Sequence, residues 1–208
     1  MEFRDFKAPF IEQQQICRQA DEFRSRYWPS GEIPVDVLAI VEFELELEIR
    51  PASKLREDVD VDALLLGDWQ TILVDQGHYM DDRYLNRLRF SVAHELGHYV
   101  LHKSVFEQIP RSSTEQWIQT MLGLPEKEYS FLEYHAYEFA GRFLVPPDKL
   151  SAEFEAVISQ AEQNGVRRSE LRDDSHMGYL AKPIARKFAV SSDVIERRLV
   201  KEGLWPLT

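Results

Sequence analysis

Residues 89–102 read RFSVAHELGHYVLH, with two histidines four positions apart and a glutamate directly after the first. In a helix, residues four apart lie one turn above each other on nearly the same face, so His94 and His98 can present two imidazoles to one metal ion. Glu95 is rotated by about 100° from His94, where its carboxylate is better placed to take a proton from a water on the metal than to bind the metal. The pattern is typical of the H-E-x-x-H helix of a zinc peptidase.

The residues around this pattern bear on its function, because H-E-x-x-H also arises by chance in many proteins. The segment is strongly helical, and four of its residues form an apolar stripe beside the histidines: Ala93, Leu96, Gly97 and Val100. The histidines are therefore expected at the border of a buried face. Gly97 costs the helix about 1 kcal/mol, a cost that is easier to understand if another backbone packs closely at this point.

A catalytic zinc ion usually has three protein ligands and an open fourth position, so a third ligand is needed. The metzincin extension of the pattern requires Gly at position 101 and His at position 104, but this chain has Leu101 and Ser104. That class is excluded. His102 lies about 12 Å along the helix axis from His94, too far to bind the same ion. It is predicted to be a capping or solvent-facing residue, and a role behind the metal ligands is the minor alternative.

A second segment, FLEYHAYEFAGRFLVPP at residues 131–147, supplies a candidate for the third ligand. Its apolar positions predict an amphipathic helix, and Glu133 lies at the edge of the buried stripe, where a carboxylate needs a partner. Three small residues allow a close approach to the first helix: Ala136, Ala140 and Gly141. We therefore expect a His-His-Glu site. Two alternatives stay open, namely Glu133 as an ordinary surface acid and His135 as the third ligand.

Together the two segments resemble the ImmA/IrrE family of zinc metallopeptidases, over about residues 34–147. The family typically has a hairpin, an R-F-T-x-A-H-E-[LI]-G-H helix and a second helix with E-x-x-A-N-x-F-A-x-x-L-L-x-P. The resemblance implies that His94, His98 and Glu133 bind Zn²⁺ and that Glu95 is the catalytic acid/base. It also implies an endopeptidase whose protein substrate is a helix-turn-helix transcriptional repressor. Tyr137 stands where the family usually has Asn.

Length and composition set the class of protein. The 208 residues suit one domain or a core with a small appendage, and 44% apolar and 12% aromatic residues are ordinary globular values. A net charge of −11 opposes a surface for nucleic acid or anionic membrane over the whole molecule. Cys17 is the only cysteine, which excludes an internal disulfide and a cysteine-based zinc cluster. Without a cationic, apolar leader or 18 consecutive apolar residues, we expect a cytoplasmic protein that does not enter a membrane.

The order of elements predicts an α+β fold. A helix over residues 10–27 precedes a segment at 34–50 that is helical first and then alternates as a strand up to Pro51. A hairpin joins strands 64–66 and 71–74 through Gly67-Asp68. Helices follow over 82–102, 114–122 (after a polar stretch with Pro110), 128–145, 148–163, 176–188 and 192–202. We predict a zincin-like core at 1–147, with a small β-sheet and the H-E-x-x-H helix, and an all-helical region at 148–208 packed on it.

The last two helices have the spacing of a helix-turn-helix and the most basic sequence of the chain, with Lys182, Arg186, Lys187, Arg197, Arg198 and Lys201. DNA contact is one interpretation. Packing on the core, or recognition of a protein substrate, is the other. Acidic residues interrupt the basic ones, so we favour the second and expect no direct DNA binding. The sequence does not determine the oligomeric state.

Two functional hypotheses remain, a zinc endopeptidase and a metal-dependent sensor or transcription regulator that keeps the fold without turnover. Glu95 favours the enzyme, because a binding module needs no general base beside its metal. Candidates to stabilise an oxyanion, each more often a packing or surface residue, are Tyr134, His135, Tyr137 and His78. Structural ion pairs are expected for Arg87, Arg89 and Arg142.

Overall fold

The computed structural model describes residues 6–106 and 113–206, which form an α+β fold with a small mixed sheet. The strands are β1 (Glu48–Ala52), β2 (Ala63–Leu65) and β3 (Thr71–Asp75), in the spatial order β1-β3-β2. β2 and β3 pair antiparallel, which confirms the predicted hairpin, and β1 pairs parallel with β3. All five residues of β3 are buried, so the central strand is covered on both faces.

The segment before β1 agrees with the prediction in its first part only. The residues with helical spacing form a short α-helix, α2 (Val37–Ala39), which continues as a π-helical turn over Ile40–Glu44, so the run expected to alternate as a strand is still helical at its start. Glu46 then has a φ of 54°, a left-handed conformation that interrupts extended backbone. The strand starts only at Glu48 and passes through Pro51, which was wrongly predicted to end it. An edge strand tolerates proline because one side of its backbone makes no ladder hydrogen bonds.

Seven of the described helices agree with the predicted segments to within a few residues: α1 (Gln13–Tyr27), α5 (Leu85–Leu101), α7 (Thr114–Leu122), α8 (Glu126–Leu144), α9 (Pro147–Gln163), α10 (Met177–Phe188) and α11 (Ser192–Lys201). Three short helices were not predicted: α3 (Leu55–Val59), α4 (Gln76–Tyr79) and α6 (Lys103–Phe106). α5 starts after a 3-10 turn at Asp82–Tyr84, in which the Asp81 carboxylate accepts the Arg83 amide. Pro110 lies outside the described residues.

The centre of the molecule is the contact between α5 and α8, the most extensive between any two described elements. A Cβ added at Gly97 of α5 would lie 2.7 Å from the Cα of Ala136 in α8. That is closer than carbon atoms can approach, so only glycine permits this spacing. The expectation that a second backbone packs against Gly97 is confirmed. α1 covers the other side of α8, where the Phe23 ring packs edge-on against Phe139.

The C-terminal helices share the apolar core of the rest of the chain. Side chains of α10 and α11 are fully buried: Leu180, Ile184, Phe188, Ile195 and Leu199. Arg142 of α8 adds a polar link, because it pairs with Asp21 of α1 at 2.6 Å and with Glu202 after α11 at 2.9 Å. In the described residues, no helix has the length and apolar character needed to cross a membrane.

Candidate metal centre and catalytic cleft

Three side chains from α5 and α8 converge on one point. The His94 and His98 Nε2 atoms are 3.1 Å apart, and the Glu133 carboxylate lies 3.1 Å from the first and 3.3 Å from the second. The one-turn spacing on α5 aligns the two rings, and the close packing at Gly97 brings α8 near enough for Glu133 to reach them. These are the only residues in the described chain whose donor atoms group in this way.

The spacing of the donor atoms fits a zinc ion. Two ligands at tetrahedral angles, each about 2.0–2.1 Å from zinc, lie roughly 3.3 Å apart. The observed separations are 3.1–3.3 Å. Two imidazole nitrogens with one carboxylate is also a ligand set of catalytic zinc sites with an open fourth position. The residues present are therefore suited to hold the ion.

The three groups also stabilise one another electrostatically. Burial alone would raise the pKa of Glu133, but hydrogen bonds with His94 and His98 hold this pKa well below its usual range. Burial alone would lower the pKa of His94, yet the adjacent Glu133 carboxylate raises it. Glu133 is thus an anion, ready to bind a cation without first losing a proton.

Glu95 lies beside these groups but does not join them. Its side chain is only 6% exposed, and one carboxylate oxygen accepts the backbone N–H of Leu65 at 2.7 Å. Leu65 is on β2, so the hairpin fixes the orientation of this carboxylate. Glu95 has the position expected for a group that exchanges protons next to a metal, rather than for a fourth ligand.

Comparison with known families assigns the chain to a peptidase family. The sequence profile of the M78 peptidase family, described as the IrrE N-terminal-like domain, matches residues 81–200, more than half of the chain. The chain belongs to the M78 peptidase family. The family implies a metallopeptidase-type function, and the matched region contains His94, Glu95, His98 and Glu133. Searches among curated proteins and among solved structures return no significant match.

In this M78 peptidase, a cleft extends in two directions from His94, His98 and Glu133, which we call the metal-ligand group. On the hairpin side lies an apolar pocket of about 300 Å³, reached past Glu95. We call it the apolar pocket. Its walls come from β2, the turn after β2, α5, α6 and α7, with Leu64, Trp69, Phe90, Phe106, Trp117 and Met121. Trp117 closes one end by donating its indole N–H to the Leu65 carbonyl at 2.9 Å. Gly67 makes room for the indole, since a Cβ there would lie 2.8 Å from it.

On the other side, the cleft opens into a groove between α8 and α11, which we call the polar groove. Its lining includes Tyr134, Tyr137, Glu138, Glu196, Arg197 and Lys201. The Arg197 guanidinium lies 5.0 Å above the Tyr137 ring, and Lys201 pairs with Glu138 at 3.3 Å. His94 and Glu133 also line this groove, so a chain lying in it passes the metal-ligand group.

Tyr129 is the functional candidate that the sequence interpretation missed. It lines both the apolar pocket and the polar groove, so it stands where they meet beside Glu133. The pKa of its hydroxyl is raised, first by burial and then by the Glu133 carboxylate, so Tyr129 is a neutral hydrogen-bond donor at ordinary pH. Its spacing could have identified it, because Tyr129 lies one helical turn before Glu133 on the same face.

His102 is the C-cap of α5, as the capping alternative predicted, but the solvent-facing alternative is wrong. Its side chain is fully buried, with its Nδ1 3.0 Å from the Nδ1 of His98. Burial, with the neighbouring His98 and His135, lowers the pKa of His102 to about 2. His78, one of the four candidates for stabilising an oxyanion, lies beside Asp62 and Arg56 and does not line either part of the cleft.

The predicted structural arginines divide into two kinds. Arg87 pairs with Asp62 at 2.6 Å, and Arg142 pairs with two carboxylates. The predicted ion pairing is therefore confirmed for these two arginines. Arg89 instead donates to the Val35 carbonyl at 2.7 Å and to the Ala189 carbonyl at 3.4 Å. It joins the start of α2 to the turn between α10 and α11, and burial lowers its pKa.

Proposed function

We propose that this chain is a zinc-dependent endopeptidase, with His94, His98 and Glu133 as zinc ligands and Glu95 as the catalytic acid/base. The observation that carries the proposal is the separation of roles among the acidic groups. One carboxylate converges with two imidazoles, while a second stands beside them, held by the Leu65 amide at 2.7 Å. A site that only binds metal has no use for the second carboxylate, whereas peptide hydrolysis requires a proton acceptor there.

Bound zinc would polarise the scissile carbonyl and lower the pKa of the attacking water. Glu95 accepts the proton of that water and passes it to the leaving amine. The Leu65 N–H binds one of its oxygens, and we assign the proton to the other. Tyr129 is the best-placed donor for the oxyanion, since it is neutral and borders both parts of the cleft.

A protein segment is the proposed substrate, because the cleft is long and has chemically distinct ends. The apolar pocket suits a large apolar side chain next to the scissile bond, and the polar groove suits the charged residues beyond it. α11 contributes Arg197 and Lys201 to the groove, which supports a role for the C-terminal helices in recognition of the substrate. The resemblance to the ImmA/IrrE family further supports a helix-turn-helix repressor as this substrate.

The partners of the basic tail residues favour this role over DNA binding. Three of the six predicted basic residues are paired with carboxylates within the protein, as Lys187–Glu153, Arg198–Glu202 and Lys201–Glu138. Phosphate contacts would have to replace these interactions, and the charge of −11 opposes approach to a duplex. We therefore propose that the tail contacts protein.

Metal analysis combined with a cleavage assay tests the proposal. Wild-type protein is expected to bind about one zinc ion and to cleave a helix-turn-helix repressor encoded beside its gene. Glu95→Gln should keep its zinc and lose cleavage by roughly 10²–10⁴-fold, because the amide cannot accept a proton.

Ligand assignment is tested by a pair of acidic residues on α8. Glu133→Ala should lose zinc, whereas Glu138→Gln should keep it, since Glu138 faces Lys201 rather than the histidines. Full zinc content in both variants would show that the third ligand is a residue other than Glu133. Zinc binding by the wild type without cleavage of any repressor would instead favour the metal-dependent sensor.

A further inference from the structure

A row of buried histidines continues from the metal-ligand group into the protein interior. The Nδ1 atom of His98 lies 3.0 Å from Nδ1 of His102, and Nε2 of His102 lies 3.4 Å from Nδ1 of His135. His102 is 0% exposed and His135 is 3% exposed. The row leads away from the cleft, because neither His102 nor His135 lines the apolar pocket or the polar groove.

Zinc binding through Nε2 of His98 would fix the direction of these hydrogen bonds. The Nε2 atom of His98 points to Glu133 and to Nε2 of His94, so this is the nitrogen that would bind zinc. A neutral imidazole that binds metal through Nε2 carries its proton on Nδ1. His98 must therefore donate from Nδ1, and the atom 3.0 Å away, Nδ1 of His102, must accept.

The same reasoning places the proton of His102. Complete burial favours its neutral form, because a charged imidazole would lose its hydration. With Nδ1 accepting from His98, the single proton of neutral His102 lies on Nε2. That nitrogen faces Nδ1 of His135, which accepts in turn. Each of the two hydrogen bonds in the row thus joins a nitrogen that carries a proton to a nitrogen that does not.

We propose that His102 is a positioning residue for the metal centre, which acts by accepting the Nδ1–H of His98 and so holds the His98 ring with Nε2 toward the zinc ion. His135 supports it by fixing its tautomer. The inference rests on the proposed zinc site. Metal-binding histidines usually donate their second N–H to a carboxylate, a carbonyl or a water. Here a neutral imidazole does this, and it orients the ring without adding negative charge behind the metal.

Two substitutions at position 102 separate positioning from simple packing. Asparagine can place its side-chain oxygen close to where Nδ1 of histidine stands, so His102→Asn keeps the acceptor. His102→Leu fills similar space without an acceptor. We expect the leucine variant to bind zinc about 10–100-fold more weakly in competition with a chelator, and the asparagine variant to stay within a few-fold of wild type.

A second buried histidine provides the control for zinc affinity, and the thermal stability of each variant shows whether it folds. His78→Leu removes a ring that is 7% exposed but lies outside the cleft, so it should leave zinc affinity unchanged. If packing alone matters, the leucine and asparagine variants will lose affinity equally, or not at all, and the inference is overturned. Wild type that binds no zinc would overturn the proposed function as well, whereas wild-type zinc affinity in His102→Leu would overturn this inference alone.

Nitrogen NMR of the wild-type imidazoles provides a test that does not depend on any variant. In zinc-loaded protein with ¹⁵N-labelled histidine, His98 should be protonated on Nδ1, and His102 should be neutral with its proton on Nε2. A His102 ring protonated on Nδ1 would face the His98 proton with another proton and would overturn the inference. This measurement decides the matter if His102→Leu does not fold.

Discussion

The apolar pocket and the polar groove meet at the same metal-ligand group, yet they are built in different ways. The pocket is closed by aromatic rings whose polar atoms are already used, as with the Trp117 indole and the Leu65 carbonyl. The groove keeps charged side chains at its surface, among them Glu196 and Arg197. Among apolar side chains, an apolar wall discriminates by size, to the extent of about 1–3 kcal/mol per methylene group. A charged wall can also reject the wrong sign of charge.

The two sides also come from different parts of the chain. The hairpin that forms one wall of the pocket lies before residue 81, outside the family match, whereas α8 and α11 of the groove lie inside it, apart from the final residue Lys201. Among the described residues, the group suited to bind a metal ion comes from α5 and α8 alone. Changes at the junction should therefore affect every substrate, while changes in either wall should affect substrates selectively.

The largest effect is expected at the junction, from Tyr129→Phe. Removal of this hydroxyl takes away the proposed donor to the oxyanion, which is typically worth on the order of 10²-fold in kcat. Zinc content should not change, because His94, His98 and Glu133 remain. The comparison of kcat with KM separates the roles, since a residue that only binds substrate would raise KM instead. Unchanged kcat in Tyr129→Phe would assign the donor to another group.

A smaller and selective effect is expected in the apolar pocket from Met121→Trp. The larger side chain would fill the space proposed for a substrate side chain, so peptides with Leu or Phe at that position should be cleaved about 10–100-fold more slowly. Peptides with Ala there should be affected much less. The neighbouring Leu122 is 65% exposed and outside the pocket, which makes Leu122→Trp a matched control. Equal losses for large and small side chains would show that the pocket does not select the substrate.

The sequence predicted most of the site because its spacing follows from helix geometry. The one-turn repeat of His94 and His98 and the edge position of Glu133 are local properties of two amphipathic helices. Gly97 also indicated the close backbone contact, since no local reason explained its cost to the helix. The structure brings these residues together as the pattern required.

The features that the sequence did not predict depend on contacts between distant segments. His102 was judged only by its distance from the metal, but its burial depends on His135 of α8 and the surrounding packing. The π-helical turn before β1 and the strand through Pro51 depend on the pairing of Glu48–Ala52 with β3. The periodicity of a sequence describes local structure, so it does not predict pairings between residues that are far apart in the chain.

The smallest effect is expected in the polar groove from Arg197→Gln. Arg197 is exposed over the Tyr137 ring, so its charge is available to an acidic group of the substrate. Exposed ion pairs are worth about 0.2–1 kcal/mol, so kcat/KM for a substrate with an acidic residue here should fall only about 2–5-fold. The loss should disappear at high salt, where the charges are screened. Arg50→Gln provides the control, because Arg50 is also exposed but pairs with Glu48 on β1, away from the cleft. If the Arg197 and Arg50 variants behave alike at low salt, the groove does not recognise charge, and the difference between the two walls is one of shape alone.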